Sequence, residues 1–199
     1  MTGKPIRLAV LISGRGSNLQ SLIDACAEAD FPARIAVVLS NKADAYGLER
    51  AKQAGIPAVT VSHKDFGTRG DFEDALLTTL APYNADLVCL AGFMRVLTPR
   101  FIAPWAGRLL NIHPSLLPAY KGLHTHERAI ESGDTESGCT VHLVTPELDD
   151  GPIIVQKRVS ILPGDTPDTL AARVLEQEHT AYPEAVRIMA SDKSLFPTA

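Results

Sequence analysis

Five short apolar runs, residues 6–13, 34–40, 58–61, 87–91 and 109–113, alternate with segments of helical periodicity, and this alternation restricts the fold more than any other feature of the chain. Leu19, Leu22, Ile23 and Cys26 recur at helical spacing after the first run. Residues 46–54 end at Gly55, with Pro57 just beyond, which is a helix stop. Thr68 stands where it caps a helix whose buried stripe is Phe72, Ala75, Leu76 and Leu80. Thr98 and Pro99 read as a cap followed by proline at the first helical position. Strands separated by helices pair in parallel through right-handed crossovers. Residues 140–144 and 153–161 are also β-rich, but no helix between them is long enough to cross over, so they pair antiparallel at the sheet's edge. The predicted class is therefore α/β: a Rossmann-like, mostly parallel sheet flanked by helices, with antiparallel strands added in the C-terminal third. Thr166 and Pro167 open a long final helix, expected to kink or break near Pro183. No repeat or linker divides the 199 residues, which read as one domain spanning 1–199.

Composition narrows the function classes. Apolar residues at 45% and charged residues at 21% are globular values. A net charge of −4 and a pI near 5.8 argue against a nucleic-acid footprint. The three cysteines, Cys26, Cys89 and Cys139, sit inside apolar runs and read as reduced, buried thiols rather than a disulfide framework or zinc cluster. The first apolar run is too short for a signal peptide or a membrane span. The expectation is a cytoplasmic protein without membrane or nucleic-acid partners.

Ligands of open α/β sheets bind beyond the carboxyl ends of the strands. Residues 14–18, 92–97 and 111–113 all fall at such ends, so topology alone brings them together. Along a strand Asn111 and His113 share one face while Ile112 takes the other. Pro114 pushes His113 into an extended conformation, which fixes where the ring emerges. An amide donor beside a titratable ring can hold a negative oxygen and move a proton, although an Asn capping a turn and a core His would look the same. Gly14, Arg15 and Gly16 between strand and helix build an anion site, because unpaired N–H groups point out of a helix start; a plain tight turn is the other reading. A dinucleotide fingerprint would need a third glycine where Leu19 stands, and an acid where Asn41 ends the second strand, so a phosphate monoester fits better. Asp149 and Asp150 read as turn-forming carboxylates. Six histidines are present, but His124, His126 and His142 lack a familiar metal-ligand spacing, and no metal is expected.

Three stretches carry a resemblance: Leu109-Leu110-Asn111-Ile112-His113-Pro114-Ser115-Leu116-Leu117-Pro118, Ser13-Gly14-Arg15-Gly16-Ser17-Asn18-Leu19 and Glu147-Leu148-Asp149-Asp150-Gly151-Pro152. Together they resemble the folate-dependent formyltransferases, and within these the phosphoribosylglycinamide formyltransferases of purine (IMP) biosynthesis, over residues 8–182. The resemblance implies transfer of a formyl group from the co-substrate 10-formyltetrahydrofolate to the amine of glycinamide ribonucleotide, without metal, by a monomer or homodimer. It implies that Asn111 and His113 stabilise the oxyanion and that Asp149 raises the proton affinity of the His113 ring. Gly16, Ser17, Asn18 and Glu178 would hold the ribonucleotide. Arg69, Met94, Arg95, Val96, Leu97 and Asn111 would hold the folate. Two positions depart from the commoner pattern: Asp150 stands where glycine is frequent, and Lys121 precedes Gly122 where proline is often found. A formyltetrahydrofolate deformylase shares the Asn, His and Asp set but lacks the glycine pattern and usually carries an N-terminal regulatory domain. A methionyl-tRNA formyltransferase would need a C-terminal RNA-binding domain, and a non-catalytic phosphosugar-binding protein would not need the Asn111, His113 and Asp149 set.

Overall fold

A computed structural model describes residues 4–192. In chain order the elements are β1 (Ile6–Ile12), α1 (Ser17–Ala27), β2 (Ala33–Ser40), α2 (Tyr46–Gln53), β3 (Ala58–Thr60), α3 (Arg69–Leu80), β4 (Leu87–Leu90), α4 (Pro99–Ile102), β5 (Leu109–His113), α5 (Thr125–Glu131), β6 (Glu136–Leu143), β7 (Ile153–Ser160) and α6 (Pro167–Ser191). The strands form one sheet in the order β3-β2-β1-β4-β5-β6-β7. All pairings from β3 to β5 are parallel, and β6 and β7 are added antiparallel. The predicted α/β class is the one observed.

Strand alternation divides the core between the two faces of the sheet. Leu8, Val10 and Ile12 pack with Leu19 and Leu22 of α1 and with Tyr182 and Val186 of α6. Ala9 and Leu11 face the other way, among Val37, Leu39, Phe72, Leu76 and Leu80. These strands are buried on both faces, which is why they read as continuous apolar runs.

Three local expectations are revised. Residues 125–131 form a helix that the apolar pattern did not announce, because only Thr125 and Ala129 of it are buried. β6 begins at Glu136, four residues before the apolar run at 140. α6 is not broken at Pro183 but runs through it as one 25-residue helix. Proline removes a backbone hydrogen bond there, a cost of about 3 kcal/mol. Ala181, Tyr182, Ala185 and Val186 are all fully buried around it, and burial at about 1.5–3 kcal/mol per large apolar side chain outweighs that cost.

Two buried polar groups connect this frame to the site. The Tyr182 hydroxyl donates to the Leu90 carbonyl at 2.9 Å, fastening α6 to the end of β4. Glu73 of α3, fully buried, accepts from the Thr98 backbone N–H at 2.7 Å and from the Thr98 hydroxyl, fixing the start of α4. The cysteines are free, and burial pushes the Cys26 and Cys139 thiols up to about 12. Among the described residues, no helix is long and apolar enough to cross a membrane.

Candidate active site

A cleft of about 750 Å³ opens at the carboxyl ends of the central strands. Asn111 and His113 reach it from β5, and Ile112, which packs into the core on the α6 side of the sheet, also borders it. Met94, Arg95, Val96 and Leu97 line it from the loop after β4, and Asp149 comes from the β6–β7 connection. Asn18 of α1 and Glu178 of α6 complete it.

The His113 ring lies between two fixed partners. Its Nε2 is 2.9 Å from the Tyr120 carbonyl, which can only accept, so Nε2 carries hydrogen. Its Nδ1 is 3.4 Å from Asp149 Oδ2, with both side chains 7% exposed. The ring serves both neighbours as a donor only in the imidazolium form. Asp149 is itself held by the Gly122 N–H, which donates to Oδ2 at 2.9 Å. Its backbone is left-handed at φ 49°, a conformation that Asp tolerates better than most residues.

His142 stands opposite Asn111 in the β5–β6 register, and Thr140 stands opposite His113. The His142 Nδ1–H donates to the Leu143 carbonyl at 2.9 Å, leaving the Nε2 lone pair 3.4 Å from the Asn111 amide nitrogen and 3.7 Å from Asp149 Oδ1. Burial holds the His142 ring below the usual histidine range, against the Leu143 carbonyl and the Asp149 charge. The sequence set this histidine aside only as lacking a metal-ligand spacing. Its partnership with Asn111 becomes visible once the period of two is matched across both strands.

At the other end of the cleft the Asn18 amide donates to Glu178 Oε2 at 2.6 Å. Burial pushes the Glu178 carboxyl up, with the Asn18 hydrogen bond opposing. Asn18 Oδ1 is buried and finds no hydrogen-bond partner among the described residues, as does Thr125 Oγ1 on the cleft wall. Buried polar atoms of this kind are places for a ligand's polar groups.

Three predicted site residues lie outside the cleft lining. Gly16 is left-handed at φ 70° and precedes α1, whose start has no side-chain cap and no acidic residue in its first turn. A Cβ on Gly16 would stand 2.8 Å from the Gly47 Cα, so packing against α2 requires glycine here. Ser17 lines a separate groove of about 370 Å³ with Gln20, Asp24 and His179. Arg69 opens α3 as an exposed residue.

The loop after β4 is tied down at both ends. The Met94 N–H donates to Ser13 Oγ at 2.8 Å, and that hydroxyl donates to Asn41 Oδ1 at 2.5 Å. Glu73 holds Thr98 at the far end. Between these anchors Met94 and Val96 are more than 60% exposed, an apolar surface presented to the cleft. Ser13, Asn41 and Glu73 were not legible as anchors, since their partners are distant in sequence. Among the described residues, no group of three or more His, Cys, Asp or Glu could hold a metal ion.

The chain is similar to known proteins over most of its length. The family described as formyl transferase matches residues 6–186. The phosphoribosylglycinamide formyltransferase of Escherichia coli is 53% identical over 178 residues, covering 89% of this chain and 84% of that relative. The trifunctional purine biosynthetic protein adenosine-3 of Chironomus tentans is 53% identical over 187 residues; the match covers 93% of this chain but only 14% of that much longer relative. The crystal structure of phosphoribosylglycinamide formyltransferase from Brucella melitensis superposes with a TM-score of 0.91 at 52% identity, covering 94% of this chain and 97% of that one. With its family match spanning nearly every described residue and its site assembled from the same elements that define the fold, the chain belongs to the formyl transferase family.

Proposed function

We propose that this protein is a phosphoribosylglycinamide formyltransferase, moving the formyl group of 10-formyltetrahydrofolate to the amine of glycinamide ribonucleotide in purine biosynthesis. The observation that carries the reading is the cluster of Asn111, His113 and Asp149 in one cleft, within a chain 53% identical to a relative of that name. The cleft is large enough for two ligands side by side.

The amine attacks the formyl carbon directly, and the carbonyl electrons move to oxygen. Asn111 donates to that oxyanion, and protonated His113 does so through Nδ1–H, whose 3.4 Å contact with Asp149 is long enough to be shared, while Nε2–H stays on the Tyr120 carbonyl. Collapse re-forms the carbonyl and expels the folate nitrogen, which takes up a proton with help from the His113 ring, while the attacking amine loses one. Asp149 stabilises the imidazolium by charge. The protein's remaining task is alignment of two substrates, which removes translational and rotational entropy from the barrier. Asn18 and Glu178 suit the polar ribonucleotide, with its phosphate at the uncapped start of α1 behind Gly16 and Ser17. The loop of Met94, Arg95, Val96 and Leu97 suits the flat folate ring, and Arg69 answers the folate's distant carboxylates. We place the reaction in the cytoplasm, in keeping with three free thiols.

The test is to follow both products with formylfolate in the presence and absence of glycinamide ribonucleotide. Folate release that depends on the acceptor supports the transferase. Equal release without it would mean hydrolysis and would sink the assignment.

A further inference from the structure

We propose that Arg128, assisted by the Lys121–Asp150 ion pair, is a positioning residue for the His113–Asp149 pair, acting through the backbone of residues 120–122. The catalytic role of that pair rests on the function proposed above; the positioning itself rests on geometry.

Residues 120–122 touch both members of the pair. The Tyr120 carbonyl accepts from His113 Nε2 at 2.9 Å, and two residues later the Gly122 N–H donates to Asp149 Oδ2 at 2.9 Å. The path of these three residues therefore sets the distance between ring and carboxylate. That path is not the chain's own preference. Tyr120 is left-handed at φ 54°, a conformation that a bulky residue keeps only when its surroundings impose it.

The surroundings that impose it are side chains outside the cleft. Arg128 of α5 donates through Nη1 to the Lys121 carbonyl at 2.8 Å and to the Leu123 carbonyl at 3.2 Å. Its guanidinium lies over the Tyr120 ring, 5.2 Å from the centroid. The Tyr120 hydroxyl donates to Asp134 Oδ2 at 2.6 Å. On the opposite side the Lys121 ammonium pairs with Asp150, the neighbour of Asp149 in its own left-handed turn. Neither Lys121, Asp150 nor Arg128 lines the cleft, so each reaches the reacting atoms only through backbone. The ion pair is half exposed and weak by itself, whereas Arg128 holds two carbonyls through Nη1 and lays its guanidinium plane over an aromatic ring at once. Lys121 and Asp150, each a departure from the commoner sequence pattern, are partners of one another.

The experiment compares the parent protein with Arg128→Ala, Arg128→Lys and Lys121→Ala by steady-state kinetics and melting temperature. It adds ¹⁵N-resolved NMR of the His113 ring without substrates. Arg128→Ala lowers kcat by about tenfold, within the range that misplacement of a catalytic group produces, with both KM values held within about twofold. The ring Nε2–H signal moves upfield and exchanges faster as the bond to the Tyr120 carbonyl loosens. Arg128→Lys recovers less than half of the loss, because an ammonium lacks the planar face that lies over the Tyr120 ring. Lys121→Ala costs less, and high salt brings the parent to the same level. A kcat within about twofold of parent in Arg128→Ala, a loss carried in KM, or unmoved ring signals would overturn the proposal. If Arg128→Ala fails to fold, unmoved ring signals in Arg128→Lys overturn it equally. A parent protein without acceptor-dependent transfer would instead overturn the functional reading, and the NMR comparison would still decide the positioning.

Discussion

Asn111 and His142 face one another across β5 and β6, with the amide nitrogen 3.4 Å from the imidazole Nε2. Because His142 Nδ1–H is committed to the Leu143 carbonyl, Nε2 can only accept, which turns the Asn111 NH₂ toward it. One amide hydrogen is thereby fixed and the other is left for the cleft.

His142→Ala releases the amide to rotate. One hydrogen bond is worth about 0.5–1.5 kcal/mol, so kcat should fall by about 2- to 12-fold while KM changes little. Burial depresses the folded-state value of His142 below 6.5, so the unfolded chain binds its proton first. Stability contributed by the neutral ring is therefore lost as pH falls from 6.5 toward the folded value. His142→Ala should flatten that acid-side slope in thermal melts; an unchanged slope would show that the ring does not resist protonation.

Asn111, His113 and Asp149 should fail as a unit. Losing one oxyanion donor costs ~2.7–4 kcal/mol, so Asn111→Ala should lower kcat by about 10²–10³. His113→Ala also loses proton transfer, worth about 10²–10⁴ by itself, and should be at least as damaging. Asp149→Asn should lower kcat far more than it weakens ligand binding. Combined with His113→Ala it should add little, since no ring remains to assist. Fully additive losses in the double variant would separate the carboxylate from the ring.

Glu178 gives a pH dependence of the opposite sense. Its carboxyl is raised above 4.5 by burial, so the folded state holds a proton that the unfolded state releases. Stability then falls as pH rises from 4.5 through the folded value. Glu178→Gln keeps the shape without the ionisation, so its melting temperature should lose that decline. The same variant should raise KM for glycinamide ribonucleotide and leave folate affinity intact. A decline that persists in Glu178→Gln belongs to another group.

Gly16→Ala meets two obstacles together: a left-handed φ of 70° and a Gly47 Cα at 2.8 Å from the new Cβ. The left-handed conformation alone costs about 1–2 kcal/mol. At about 2–4 °C per kcal/mol for a chain of this size, the melting temperature should drop by about 2–8 °C. KM for the ribonucleotide should rise with it. A variant as stable as the parent would show that α2 can retreat from this turn.

The sheet from β1 to β5 was legible because its central strands are buried apolar runs, the short β3 at its edge is an apolar run only partly covered, and each crossover carries its own helix signal. Asn111 and His113 were legible for the same reason, standing at the end of such a run with Ile112 between them. α5 was not, since seven residues with two buried positions leave no periodic trace. α6 was expected to kink or break near Pro183; it does not break there, because tertiary burial holds the helix together across the proline. Glu73 carries no mark in its own helix; its partner Thr98 is 25 residues away and only folding brings the two together. Arg69 was drawn from family resemblance and Ser17 from the glycine turn before α1 as well, and the side chains of both stand outside the cleft lining. Arg128 left no signal, because its work is done on carbonyls that every residue possesses.

The Asn18–Glu178 hydrogen bond spans 160 residues, joining the first helix to the last. A ribosome adding about 5–20 residues per second delivers Glu178 roughly 8–32 s after Asn18. Throughout that interval the growing chain has the Gly16 turn and α1 but no completed cleft behind them. Substrates therefore recognise only a finished molecule, and whatever stabilisation they bring by mass action is granted after α6 has docked, not while the chain is still choosing its partners.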